Sequence, residues 1–161
     1  KVTGVQTCAL PISHPGSGRF FVPLAPSEAR HYLGVAGGSG ITPILSIMKT
    51  VLAREPKSRF TLLYGNRRVN STMFKDEIAD LKDRYTGRLA LHAVFSDEAV
   101  ESDLFAGVLN REKVAAFLNT LVPPASISHA FICGPFQMND EAEAALRAAG
   151  VAEERDRKSV V

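Results

Sequence analysis

Cysteine is nearly absent from this 161-residue chain: Cys8 and Cys133 are the only two, far apart and in no CxxC or Cys/His ligand spacing. That pattern excludes a disulfide framework and a zinc site, and it fits a reducing compartment. Long apolar runs are missing as well. None approaches the roughly 18 residues that a membrane span needs, and the stretch after Lys1 is too short and too polar for a secretory leader. The chain therefore reads as cytoplasmic, with no membrane partner. Charge of one sign is nowhere concentrated: 19 Lys and Arg stand against 17 Asp and Glu, net +2, scattered along the sequence. No nucleic-acid partner is expected on that balance.

Other absences remove whole chemistries. Without a Gly-Lys-Ser/Thr sequence there is no P-loop. Tyr32, Tyr64 and Tyr85 are followed four residues later by Ala36, Arg68 and Leu89, so the Tyr/Lys pair of a short-chain dehydrogenase is missing. A phospho-accepting receiver needs acidic residues at the end of its first strand, where this sequence has glycines. His14, His31, His92 and His129 share no metal-ligand spacing and read as loop or core-edge residues.

What is present is ordinary globular composition, 45% hydrophobic and 22% charged, enough for one domain with a core. From Arg30 onward short apolar runs alternate with longer helical patterns, which predicts an α/β fold of βαβ units around a parallel sheet. The predicted strands are Tyr32 to Ala36, Arg59 to Tyr64, Leu89 to Phe95 and His129 to Cys133. The first is continuously apolar, as expected when helices cover both faces of a sheet. A first helix runs from Pro43 to Arg54, with Thr42 as its N-cap and Pro43 at the first helical position. A second places Met73, Phe74, Ile78 and Leu81 on one face. A third spans Arg111 to Leu121 with Asn110 as cap, and the last runs from Pro135 to Ala149, closed by Gly150.

The first strand leads straight into Gly37-Gly38-Ser39-Gly40-Ile41-Thr42-Pro43 and then into a helix. Glycines there let backbone N–H groups close on a pyrophosphate, and the helix N-terminus adds favourable partial charge. A tight strand-to-helix turn with no ligand is the alternative. The motif's place after the first strand of a parallel pattern, where a sheet's switch point accepts nucleotides, favours binding.

Gly38 to Pro43 and Cys133-Gly134-Pro135, at the ends of the first and fourth strands, together resemble the ferredoxin–NADP reductase superfamily, which carries G-S/T-G-x-T-P and C-G-P there. In the same order, GSGITPILSI, RFTLLYGNR, MFKDEI and AFICGP look like the reductase components of the phenylacetyl-CoA epoxidase family. The resemblance covers about Gly18 to Arg155. It implies a three-layer nucleotide-binding domain of strand order 3-2-1-4 that lacks its fifth strand. It further implies hydride transfer from NADPH or NADH to FAD, then single electrons through a 2Fe-2S cluster to an oxygenase or epoxidase component. By the same resemblance Gly37, Gly38, Ser39, Gly40, Ile41, Thr42 and Pro43 hold the pyrophosphate. Cys133, Gly134, Pro135 and Met138 lie at the nicotinamide end, Cys133 as a ring contact and not a nucleophile.

After the second strand comes Asn66 and then Arg67 and Arg68, whose guanidinium groups would attract a 2′-phosphate and favour NADPH, solvated loop charges being the alternative. Ser96-Asp97 stands where relatives often carry Ser-Arg, and a carboxylate there acts against that preference, so NADH use stays open. The domains expected are 14–29, the end of a flavin-binding barrel carrying Gly18-Arg19-Phe20-Phe21, and 30–155, the NAD(P)-binding domain. Residues 1–13 and 156–161 resemble translated sequencing adapters and are expected to be non-native; ordinary chain ends are the alternative. With most of the flavin domain and the cluster-binding module outside this sequence, the fragment alone is expected to be inactive, open-edged beside its fourth strand and poorly stable. A flavin reductase or flavohaemoglobin-like reductase, and a non-enzymatic nucleotide-binding module, are the competing functions.

Overall fold

The computed structural model describes the backbone of residues 4–8 and all of residues 24–151. Its centre is a run of seven buried residues, His31–Gly37, which forms strand β2; β1 is Gly4–Cys8. The chain then alternates α1 (Ile41–Arg54), β3 (Arg59–Asn66), α2 (Lys75–Arg84), β4 (Leu89–Phe95), α3 (Arg111–Thr120), β5 (His129–Cys133) and α4 (Phe136–Ala148). The strands form one parallel sheet of order β1-β5-β2-β3-β4.

Alternation along each strand sends side chains to two cores. Tyr32, Ala36, Phe60, Leu62 and Phe131 face α1 and α2, meeting Ile44, Leu45, Met48 and Ile78. Leu33, Val35, Leu63 and Ile132 face α3 and α4, meeting Val114, Phe117, Ala142 and Leu146. Burial on both faces is why β2 carries an unbroken apolar run. The predicted α/β class and the β4-β3-β2-β5 order of the four sequence-predicted strands are both present.

The edge of β5 departs from expectation. β1 pairs with it in parallel along its whole length, from Gly4 opposite His129 to Cys8 opposite Cys133. The edge expected to be open is therefore closed, by a segment that was expected to be non-native. Gly18 to Phe21 lie outside the described residues.

Two helix starts also differ. Gly38–Gly40 forms a 3₁₀ turn, and α1 begins at Ile41 with Gly40 as N-cap, so Thr42 is not the cap and Pro43 is the third helical residue. The cause is local: Gly40 already has near-helical dihedrals, φ −63° and ψ −11°, and buried Ile41 anchors the first turn in the core. Helix α2 starts only at Lys75. Phe74 has φ 56°, a left-handed conformation that a right-handed helix cannot include, so Met73 and Phe74 are exposed and only Ile78 and Leu81 of the predicted face are buried. At the far end, Gly150 (φ 87°) ends α4 as expected, with its N–H donating to Arg147 O and Val151 N–H to Leu146 O.

Candidate functional site

The C-terminal ends of β2, β3 and β5 bring together the two motifs that lie about a hundred residues apart in sequence. The backbone contact between them is close. A Cβ on Gly40 would overlap the Cys133 carbonyl and reach 2.8 Å from Gly134 N, while one on Gly134 would lie 3.1 Å from Gly37 N. Met138, half-buried one turn into α4, fills the gap: its Sδ would sit 2.6 Å from a Cβ on Gly37 and its Cε 2.5 Å from one on Gly134. At Gly40, where the obstacle is backbone, glycine is therefore a packing requirement; at Gly37 and Gly134 the nearest atoms belong to the flexible end of Met138. At Gly38 the requirement is conformational, since φ is 52° and a Cβ there would meet nothing within 4 Å.

This contact puts two helix N-termini side by side. Neither α1 nor α4 has a side-chain cap, and neither has an acidic residue in its first turn. First-turn amides have no intrahelical partners; in α1 the preceding 3₁₀ turn already takes the Ile41 N–H on Gly38 O and Pro43 has none, so the amides open to an external acceptor are chiefly those at the start of α4. Both helices are long, 14 and 13 residues, and their dipoles place partial positive charge on the same crevice. Ser39 and Thr42 are exposed at its mouth, Ile41 is buried, and Pro135 is exposed. Phe136 follows with 74% of its surface exposed. Cys133 is fully buried in the core facing α1, so its thiol packs as a small apolar group.

Asn66, Arg67 and Arg68 follow β3 at the neighbouring strand end. Asn66 Nδ2 is buried and lies beside the Tyr64 hydroxyl, without a fully formed hydrogen bond among the described residues. Both arginines are exposed. Ser96 and Asp97 are close by: Ser96 N–H donates to Asn66 O (3.1 Å) and Asp97 N–H to Arg67 O (3.0 Å), extending the β3–β4 ladder. The Asp97 carboxylate accepts from Ser96 Oγ at 2.9 Å, and Glu98 accepts from Val69 N–H at 2.6 Å.

Sequence reasoning passed over Tyr64. Its hydroxyl lies 3.3 Å from Gly38 O and 3.2 Å from Met73 O, and burial raises its pKa above the ordinary tyrosine range. The only signal was its position as the last buried residue before Gly65.

A separate cavity of about 280 Å³ opens at the opposite ends of the strands, among His31, Arg59, Lys82, Arg88 and His92. Two of its cations are engaged by backbone: Arg88 donates to Leu52 O, Glu55 O and Ser58 O, and Lys82 to Leu89 O. His31, bonded to Thr61 Oγ1 and Ser126 Oγ, is held down to about 4 by burial and by the Arg59 charge. These interactions brace α1, β3 and β4. No group of three or more His, Cys, Asp or Glu residues able to hold a metal occurs among the described residues, and no helix there is long and apolar enough to cross a membrane.

Comparison with known proteins agrees with this geometry. Residues 35–144 match the oxidoreductase NAD-binding domain family. The chain is 47% identical over 131 residues to a component of 1,2-phenylacetyl-CoA epoxidase from Escherichia coli K12, covering 81% of this chain and 36% of that protein. It is 39% identical over 119 residues to the ferredoxin reductase component of 3-ketosteroid-9-alpha-monooxygenase from Mycolicibacterium smegmatis, covering 74% of this chain and 30% of that one. The chain thus spans about a third of these relatives' length. Among solved structures, the FAD/NAD-binding domain of nitric oxide dioxygenase from Vibrio cholerae superposes with a TM-score of 0.68 at 25% identity, over 86% of this chain and 53% of that one. With both motifs in contact at the switch point of such a sheet, this chain belongs to the oxidoreductase NAD-binding domain family of the ferredoxin–NADP reductase superfamily and is an NAD(P)H-binding domain.

Proposed function

We propose that residues 30–155 deliver NADPH to a flavin in a reductase that feeds an oxygenase, of the kind to which the phenylacetyl-CoA epoxidase relative belongs. The observation that carries this reading is the convergence of two uncapped helix N-termini on a crevice floored by Gly37, Gly40 and Gly134. A pyrophosphate there would receive hydrogen bonds from the Ser39 and Thr42 region and partial charge from both helices. One sugar then extends toward Asn66 and Arg67, and the nicotinamide toward Gly134 and Pro135. Cys133, fully buried at the strand end, acts as a spacer that sets its depth and contacts the nicotinamide ring, not as a nucleophile.

FAD, when bound by the complete reductase, would supply hydride acceptance and release of single electrons to a 2Fe-2S cluster. This chain's share of that chemistry is orientation and exclusion of water on one side of the nicotinamide. The relatives' names, an epoxidase component and a ferredoxin reductase component, support an oxygenase as the electron acceptor.

NADPH is favoured over NADH because two exposed guanidinium groups stand at this strand end, whereas the Asp97 carboxylate accepts from its own Ser96 hydroxyl. Replacing Arg67 by alanine removes a charge-assisted contact that only the 2′-phosphate makes. The Kd for NADPH is expected to rise about 10-fold and that for NADH to stay within about twofold. Calorimetric titration of the two nucleotides separates the cases, and equal changes for both would defeat the NADPH assignment.

A further inference from the structure

Tyr64 belongs to the core by its ring and to the site by its hydroxyl. Only 1% of the residue is exposed, yet Oη reaches the end of β3, between Gly38 O at 3.3 Å and Met73 O at 3.2 Å, with the Asn66 side chain beside it. Gly38 is the left-handed residue of the turn, and its oxygen also receives the Ile41 N–H. Within a trans peptide the C=O and the following N–H point in opposite directions. An oxygen anchored on the strand side therefore turns the Ser39 N–H away from the strand, toward the open crevice. If the Tyr64 bond were lost, the oxygen would keep only the Ile41 N–H, and a glycine peptide is the one most free to tilt; a carbonyl turned outward would set negative partial charge against an anion.

We infer that Tyr64 is a positioning residue for the nucleotide: its hydroxyl fixes the Gly38–Ser39 peptide plane so that Ser39 N–H faces the pyrophosphate. The inference rests on the nucleotide-binding reading above. The same hydroxyl links the turn to the Met73–Phe74 segment, where Phe74 holds φ 56°. One phenolic proton serves one carbonyl at a time, so the two acceptors share it. Burial raises the phenol's pKa and keeps it a donor through the physiological range.

The test compares the full chain with Tyr64→Phe, which keeps the ring and removes only the hydroxyl. With ADP-ribose as probe, Kd is expected to rise about 3- to 10-fold, the range for one hydrogen bond. The melting temperature should stay within about 3 °C of wild type. In ¹H–¹⁵N spectra the Ser39 amide should shift on ligand addition in the wild type and lose most of that shift in the variant, a readout that loss of packing would not single out. An unchanged Kd overturns the inference, and so does a variant that melts much earlier or fails to fold, because the hydroxyl would then serve the core. If the wild type itself does not bind ADP-ribose, the nucleotide reading fails first and takes this inference with it.

Discussion

Replacing Gly40 by alanine is expected to remove nucleotide binding and to lower the melting temperature by about 6 to 12 °C, corresponding to roughly 3 kcal/mol for a domain of this size. The added methyl would overlap the Cys133 carbonyl, and that carbonyl belongs to β5, paired on both sides in the sheet. Relief requires moving α1 away from β5, which opens the contact between the two motifs. Gly37 provides the contrast. A Cβ there meets chiefly Met138 Sδ at 2.6 Å, the far end of a flexible side chain, with Pro135 Cδ at 3.0 Å. Gly37→Ala should cost much less stability. Thermal unfolding of both variants checks the ordering, and similar losses would mean that the Gly40–Cys133 approach is not a fixed feature of the fold.

Replacing Glu55 by alanine is expected to cost as much or more, roughly 3 to 5 kcal/mol, while leaving nucleotide affinity of the folded protein unchanged. Glu55 is fully buried at the end of α1. Its carboxylate accepts from Tyr32 Oη (2.8 Å), Ser58 Oγ (2.6 Å) and Ala25 N–H (2.9 Å), with an Arg30 guanidinium nitrogen 3.8 Å away. Alanine would leave those donors facing a void, and buried orphaned donors are what make such losses large. Glu55→Gln keeps the shape and should recover part of the stability. Denaturant unfolding measures the loss, and a drop below about 1 kcal/mol for Glu55→Ala would show that solvent reaches the network.

Much of this fold was legible in the residues. The buried middle of β2, Tyr32 to Ala36, announces itself as a continuous apolar run, and Asn110 caps α3 through Lys113 N–H as its residue type suggests. The two glycine-containing motifs were also readable, because sterics at a strand-to-helix crossing restrict which residues fit. Periodicity failed where a single dihedral decides the outcome. It placed Met73 and Phe74 on a helix face because it counts apolar spacing, whereas the left-handed backbone of Phe74 ends that pattern. Thr42 looked like a cap because the sequence does not reveal that Gly38–Gly40 is itself a helical turn.

Long-range polar partners were hidden for a different reason. Glu55 sits between Arg54 and Pro56 and resembles a solvated helix end, and its donors come from as far as Ala25. Tyr64 resembled strand filling, since both of its acceptors belong to other segments. The closed edge of β5 was invisible too. Backbone pairing by Gly4–Cys8 depends on an available strand edge more than on the identity of the residues that fill it.

The central claim is that the crevice between Gly37–Pro43 and Cys133–Met138 binds a nicotinamide dinucleotide. Titration of NADPH into the ¹⁵N-labelled chain, followed residue by residue, tests it most directly. The predicted result is saturable shifts at Ser39, Gly40, Thr42 and Gly134, with further shifts at Asn66 and Arg67. Shifts centred instead on the cavity of His31, Arg59 and Arg88 at the opposite ends of the strands, or no shifts at saturating nucleotide, would contradict it.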